Sequence, residues 1–313
     1  MVAPILPNAV VVEMAKREHR MQHYLWHAIR NSWIRLTPSQ RQEIKNIDPM
    51  WEPPRPVLDK RGNIIRDNNS GEDFLYMHRE MIAQVNSILA RTGDPNYPKI
   101  EGWINVPMPG DTDYPVPELE GLEDVKSDSF YNNVLLAWEM MYRSSDYLRS
   151  VTLGQLGSDI EFTIHNNMHM RWAGPSPVGY RPSTPIAQPI DKRWDSPAYD
   201  FLGDTYSSHV NPIFWKLHGW VDNRIEDWKK SNEITDEIKW KGTWTGPMIQ
   251  GHHKKVFELP ALFTDRKLLS KLERATEIVA SAIASNTGVF DGFFKPLGIR
   301  NLSFLHTKSG SKK

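Results

Sequence analysis

Apolar positions recur along this chain at the three-and-four spacing of a helical face. The clearest stripe runs through DFLYMHREMIAQ, where Phe74, His78, Met81, Ile82 and Val85 share one side. NSG at 69–71 offers this helix a start, and the pattern carries it to about Arg91. Further helices are predicted over residues 9–33, over 132–150 with Leu135, Trp138, Met141 and Tyr142 together, and through IEFTIHNNMHMRW. From Pro212 to Lys230 the stripe is Phe214, Leu217, His218, Val221, Ile225 and Trp228. A last helix is predicted over 258–285. Between these elements lie proline-bearing loops, DPMWEPPRPVLDKRGN, the stretch 93–128 and the stretch 174–204, which the local chemistry excludes from helices. Loops of this length are often functional. The expected fold class is mainly α, a helical core with long loops, and no repeat of fixed period is visible.

The stripe at 74–85 poses a chemical question, because it places the imidazole of His78 where a core residue belongs. A buried imidazole needs partners for its ring nitrogens or costs a kilocalorie or more. Most lone histidines on apolar faces are core residues bonded to a carbonyl. Here the histidines form a set. His23 and His27 in HYLWH are four apart, and so are His165 and His169 in IHNNMH. Residues four apart stand one turn above the other on the same helix face, so each pair can point at one metal ion. The single inward histidines His78 and His218 can each complete a site. Two pairs and two singles on four helices predict a four-helix bundle core that holds two three-histidine sites. His19 rotates away from the face of His23 and His27 and reads as a surface or supporting residue, while His252 and His253 beside lysines read as solvated loop.

Composition narrows the metal. The chain has 11 His and no Cys, which excludes disulfides, thiolate ligands and cysteine nucleophiles. All-imidazole ligation without an obvious carboxylate suits copper first and zinc second. A di-iron bundle needs Glu-x-x-His, but Phe162 and Asn166 stand three before His165 and His169; HExxH is absent as well. Two such sites facing one another predict a dinuclear copper centre that binds dioxygen. The balance of 38 basic and 38 acidic residues argues against nucleic acid as partner. No run of about 18 apolar residues predicts a membrane span. MVAPILPNAVVVEM lacks the basic start, apolar run and cleavage site of a signal peptide, so a cytoplasmic protein is expected.

With these residues in place, the chain resembles the type 3 copper proteins: tyrosinases, catechol oxidases, phenoloxidases and hemocyanins. HVNPIFWKLHGWVDNRIEDW at 209–228 is similar to the family's second copper signature, Asp-Pro-x-Phe-x-x-x-His-x-x-x-Asp, with Asn211 in place of the first Asp. LGDTYSSHVNP at 202–212 resembles the lead-in of arthropod members, and HYLWH with FLYMHREMIAQ resembles their first copper site. RNSWIRLTPSQR resembles the start of bacterial tyrosinases. The resemblance spans roughly residues 15–230. It implies a single tyrosinase-like copper domain over 1–313, with its core at about 9–230, a C-terminal helical extension at 231–306 and a disordered tail at 307–313. It implies His23, His27, His78, His165, His169 and His218 as ligands to two copper ions.

The same resemblance implies an oxidoreductase that uses dioxygen to hydroxylate phenols in the ortho position, or to oxidise catechols or o-aminophenols to quinones. Glu161 and Asn166 become the catalytic candidates, holding a water that deprotonates the incoming phenol; the plainer alternative for Glu161 is a solvated helix carboxylate. Asp222 would orient a ligand histidine through its second nitrogen. His209 would shape the entrance or merely lead into its helix, and Trp172, Trp215 and Trp220 would pack. The alternative function is a hemocyanin-like dioxygen binder without turnover. The partners expected are a small phenolic substrate and dioxygen, with homo-oligomerisation as a further option.

Overall fold

In the computed structural model the described residues are 6–180, 190–246 and 266–284. They are mainly helical; the β-pairing among the described residues is a single antiparallel bridge, Leu58 with Ile64. Helix α1 spans Asn8–Met14 and α2 spans Arg17–Ser32. The sequence pattern predicts one helix here, but the chain turns at Ala15–Lys16. Buried side chains take the carbonyls released at the turn: His209 Nε2 donates to Met14 O at 3.1 Å and Arg20 Nε to Ala15 O at 2.9 Å. A helix end left inside a core without such partners would be costly.

Helix α3, Pro38–Ile47, lies in a stretch between the first predicted helix and the proline-bearing loop to which the sequence pattern assigns no element. Its start is a reciprocal capping box: Thr37 Oγ1 accepts from Gln40 N, Gln40 Oε1 accepts from Thr37 N, and Pro38 occupies the first turn. Helix α4, Ser70–Thr92, is the long central helix, ended by Gly93 at φ 65°. After a loop come the short α5 (Glu123–Lys126) and α6 (Asp128–Phe130). A π-helical turn, Tyr131–Leu135, leads from α6 into α7 (Leu136–Arg143), and α8 (Ser145–Ser150) follows a break at Ser144. The single helix expected over 132–150 is therefore two helices with a bulged entry.

Helix α9 (Leu153–Ile160) begins with a second capping box, Thr152 with Gln155, and passes through a π turn, Glu161–His165, into α10 (Asn166–Trp172). The first turns of α4 and α9 touch backbone to backbone: a Cβ on Gly157 would run into Gly71, and one on Gly71 into Gly154 and Ser158. Helix α11, Pro212–Ser231, is capped by Asn211, whose Oδ1 accepts from Ile213 N at 2.9 Å. Asn caps as well as Asp, so the departure from the signature leaves the helix start intact. Helix α12, Arg266–Ala284, lies against α2 and α3 and is tied by Arg17 Nε to Glu273 at 3.1 Å.

One apolar core runs through the described residues, with Trp26, Trp51, Trp215 and Trp220 fully buried. Trp172 is buried too, so the packing role expected of these tryptophans matches where they lie. The start of the predicted helix at 258–265, the pair His252–His253 and the tail 307–313 lie outside the described residues. No described helix is long and apolar enough to cross a membrane.

Candidate metal centre

Two helices each bring one histidine inward, by the same local device. On α4, His78 Nδ1 donates to Phe74 O at 2.8 Å; on α11, His218 Nδ1 donates to Phe214 O at 2.8 Å. Both bonds reach the carbonyl one turn back. Phe214 stacks on His218 with centroids 3.8 Å apart, and Phe74 lies 4.7 Å from His78. The repeated Phe-x-x-x-His spacing in FLYMH and FWKLH is a sequence signal that the histidine count alone misses.

The two histidine pairs come from α2, with His23 and His27, and from the π turn and α10, with His165 and His169. The loop 202–205 serves both pairs: His23 Nδ1 donates to Thr205 O at 2.7 Å, and His169 Nδ1 to Leu202 O at 3.0 Å. His165 Nδ1 lies 3.0 Å from Asn166 Oδ1. The π turn adds a residue's rotation just before His165, and turns of this kind mark functional positions in helices.

The six rings converge. His23, His27 and His78 offer ligand atoms all within 4.8 Å of one another. A second group of the same tightness is His78, His165 and His218, so His78 stands between the two halves and stacks on His218 at 4.4 Å. His169, the expected third member of the second half, lies outside that tight group but against it, 4.6 Å from His165 and 5.3 Å from His218 between centroids. All six rings are buried; the most exposed, His27, shows 8 % of its surface.

Burial keeps these rings neutral. It lowers the pKa of His23 to about 3 and of His169 to about 4, and it holds His27, His78, His165 and His218 well below the ordinary 6.5, neighbouring imidazoles adding to the effect. A neutral imidazole that spends its Nδ1–H on a carbonyl has a bare lone pair on Nε2. His23, His78 and His218 are all in that state. Buried His23 Nε2 and His78 Nε2 have no hydrogen-bond partner. His165 Nε2 and His218 Nε2 face each other at 3.1 Å, and with both Nδ1 protons committed elsewhere this sets lone pair against lone pair. Apolar burial of unpaired acceptors is costly. A cation among them turns that cost into coordination, and the carbonyls that hold the Nδ1–H groups are the outer support that ligating imidazoles require. The donor set fits metal ions that favour imidazole.

The other expected residues are placed as follows. Glu161 is no solvated carboxylate: it is 3 % exposed and gripped through both oxygens by the guanidinium of buried Arg30, with Arg30 Nη2 to Glu161 Oε2 at 2.9 Å. Burial raises its pKa, against the pull of Arg30. Asn166 carries the bond to His165 given above and follows it directly. Asp222 does not orient a histidine; its carboxylate accepts from Arg79 Nε at 2.6 Å. The reason is local, since the His218 Nδ1–H already reaches the Phe214 carbonyl inside its own helix. His19 pairs with Glu13 at 3.1 Å, away from the cage. His209 is at no entrance: it is fully buried, with its Nδ1 3.2 Å from His23 Nδ1.

A scan against protein-family models gives no match to this chain, and a search of curated proteins gives none either.

Proposed function

We propose that the six imidazoles of His23, His27, His78, His165, His169 and His218 hold two copper ions in a four-helix core, and that the protein is an oxidoreductase acting on phenols, catechols or o-aminophenols with dioxygen. The observation that carries this reading is the set of buried rings in which His23 Nε2 and His78 Nε2 have no hydrogen-bond partner and His165 Nε2 faces His218 Nε2, while backbone carbonyls hold the Nδ1–H groups of His23, His78 and His218. A copper pair bound there supplies dioxygen binding and two-electron oxidation of the ring. The chain's own part is positioning and proton handling. Phe74 and Phe214 pack the ligand rings and keep the centre apolar. Asn166 Oδ1 fixes the tautomer of His165. Glu161, paired with Asn166 in the resemblance, would hold with it the water that takes the phenolic proton, with Arg30 as its countercharge.

A second reading, a dioxygen carrier without turnover, draws on the burial of all six rings. One experiment separates them. The protein is loaded with copper, its metal content is counted, the oxygen-dependent near-ultraviolet band is recorded, and catechol is added. Two coppers, the band and quinone absorbance support the oxidase. The band without quinone moves the assignment to the carrier, and zinc in place of copper, or no metal at all, removes both.

A further inference from the structure

Seven buried histidines, not six, meet at this centre, and the seventh has no place in the ligand set. His209 lies in the approach to α11 and is fully buried. Its Nε2 is 3.1 Å from Met14 O, a carbonyl that can only accept, so Nε2 carries the proton. His23 Nδ1 bears its proton toward Thr205 O, so a second proton on His209 Nδ1 would collide with it, and the ring keeps a bare Nδ1. That Nδ1 lies 3.2 Å from His23 Nδ1, which itself sits 2.7 Å from Thr205 O. The His23 Nδ1–H is therefore shared between a carbonyl and an imidazole. The two rings meet edge to face, with centroids 4.9 Å apart and planes at 77°. A single carbonyl bond lets a ring swing about its own axis; a second acceptor from another direction stops the swing.

We propose that His209 is a positioning residue for the half-site of His23, His27 and His78. It fixes the tautomer and the angle of His23, so that Nε2 faces the cage, and it ties this ring to the last carbonyl of α1. The inference rests on the reading of the cage as a copper centre. Partners of this kind are typically worth about 10- to 100-fold in metal affinity.

The test compares the native protein with His209→Phe and His209→Gln. Copper is titrated against a competing chelator, and long-range proton–nitrogen spectra of the metal-free native protein read the histidine tautomers. The expected result is an Nδ1–H tautomer at His23 and an Nε2–H tautomer at His209. In His209→Phe, one of two copper equivalents weakens by about tenfold or more while the other is unchanged. His209→Gln recovers most of the loss, because its amide can accept from His23 and donate to Met14. The opposite tautomers in the native protein, unchanged binding of both equivalents in the Phe variant, or a Gln variant as weak as Phe overturns the proposal and leaves the copper centre standing. A native protein that takes up no copper removes the centre and the proposal together. If the Phe variant does not fold, the native spectra and the Gln variant decide.

Discussion

Removing one partner of the Arg30–Glu161 pair tests how the two histidine-bearing segments are held together. Arg30 ends the inward face of α2, and Glu161 opens the π turn that delivers His165. The Arg30 side chain is fully buried and Glu161 is 3 % exposed. Arg30 makes two bonds to the carboxylate and one to Ser70 O at the start of α4. Arg30→Met leaves a buried carboxylate with no partner, and such a loss costs about 3–5 kcal/mol. Glu161→Gln strands the guanidinium and is expected to cost a similar amount. A domain's whole stability is about 5–15 kcal/mol, so each single change is severe. In the double variant no charge is left unpaired, and its loss should fall short of the sum of the singles by about 2 kcal/mol or more. Urea titration of the native, single and double variants followed by circular dichroism measures this cycle. Single effects that add within about 0.5 kcal/mol refute the view that the pair acts as one buried unit.

Two further outcomes follow from the same geometry. Metal-free protein should lose stability as the pH falls through 6.5, because the unfolded chain takes up protons there while the folded His23 and His169 stay neutral down to about 3 and about 4. The sign is that of depressed pKa values: the stabilisation is present above 6.5 and is lost toward those lower values. At one unit below 6.5 each of these two rings costs about 1.4 kcal/mol, together about 3 kcal/mol; circular dichroism with pH-stat titration should find acid unfolding with uptake of several protons, and a fold that survives below pH 4 with almost no uptake contradicts the picture. Gly219→Ala should also destabilise, because its Cβ would fall 2.5 Å from Gly102 Cα, where the loop donates Trp103 N to Lys216 O; a loss of about 1–3 kcal/mol on thermal unfolding is expected, and a neutral variant would show that this loop yields freely.

The sequence by itself determined the helical class and most of the inward residues. Periodicity alone put His78 and His218 on buried faces, and spacing by four paired His23 with His27 and His165 with His169, because a helix face repeats with its own geometry. The TPSQ start of α3 carries its capping box within four consecutive residues, so this helix start is legible in the sequence as well. The break at Ala15–Lys16 had no local signature; it exists because Arg20 and His209 reach the freed carbonyls from elsewhere. The tertiary structure alone decided the rest. It set His78 between the halves, moved His169 to the margin of the second group, neutralised Glu161 with an arginine 131 residues away in sequence, and turned Asp222 outward to Arg79. It also brought His209 onto His23, 186 positions apart. Such pairings depend on which distant helices pack together, and a one-dimensional pattern fixes the face each helix buries but not the neighbour that face will meet.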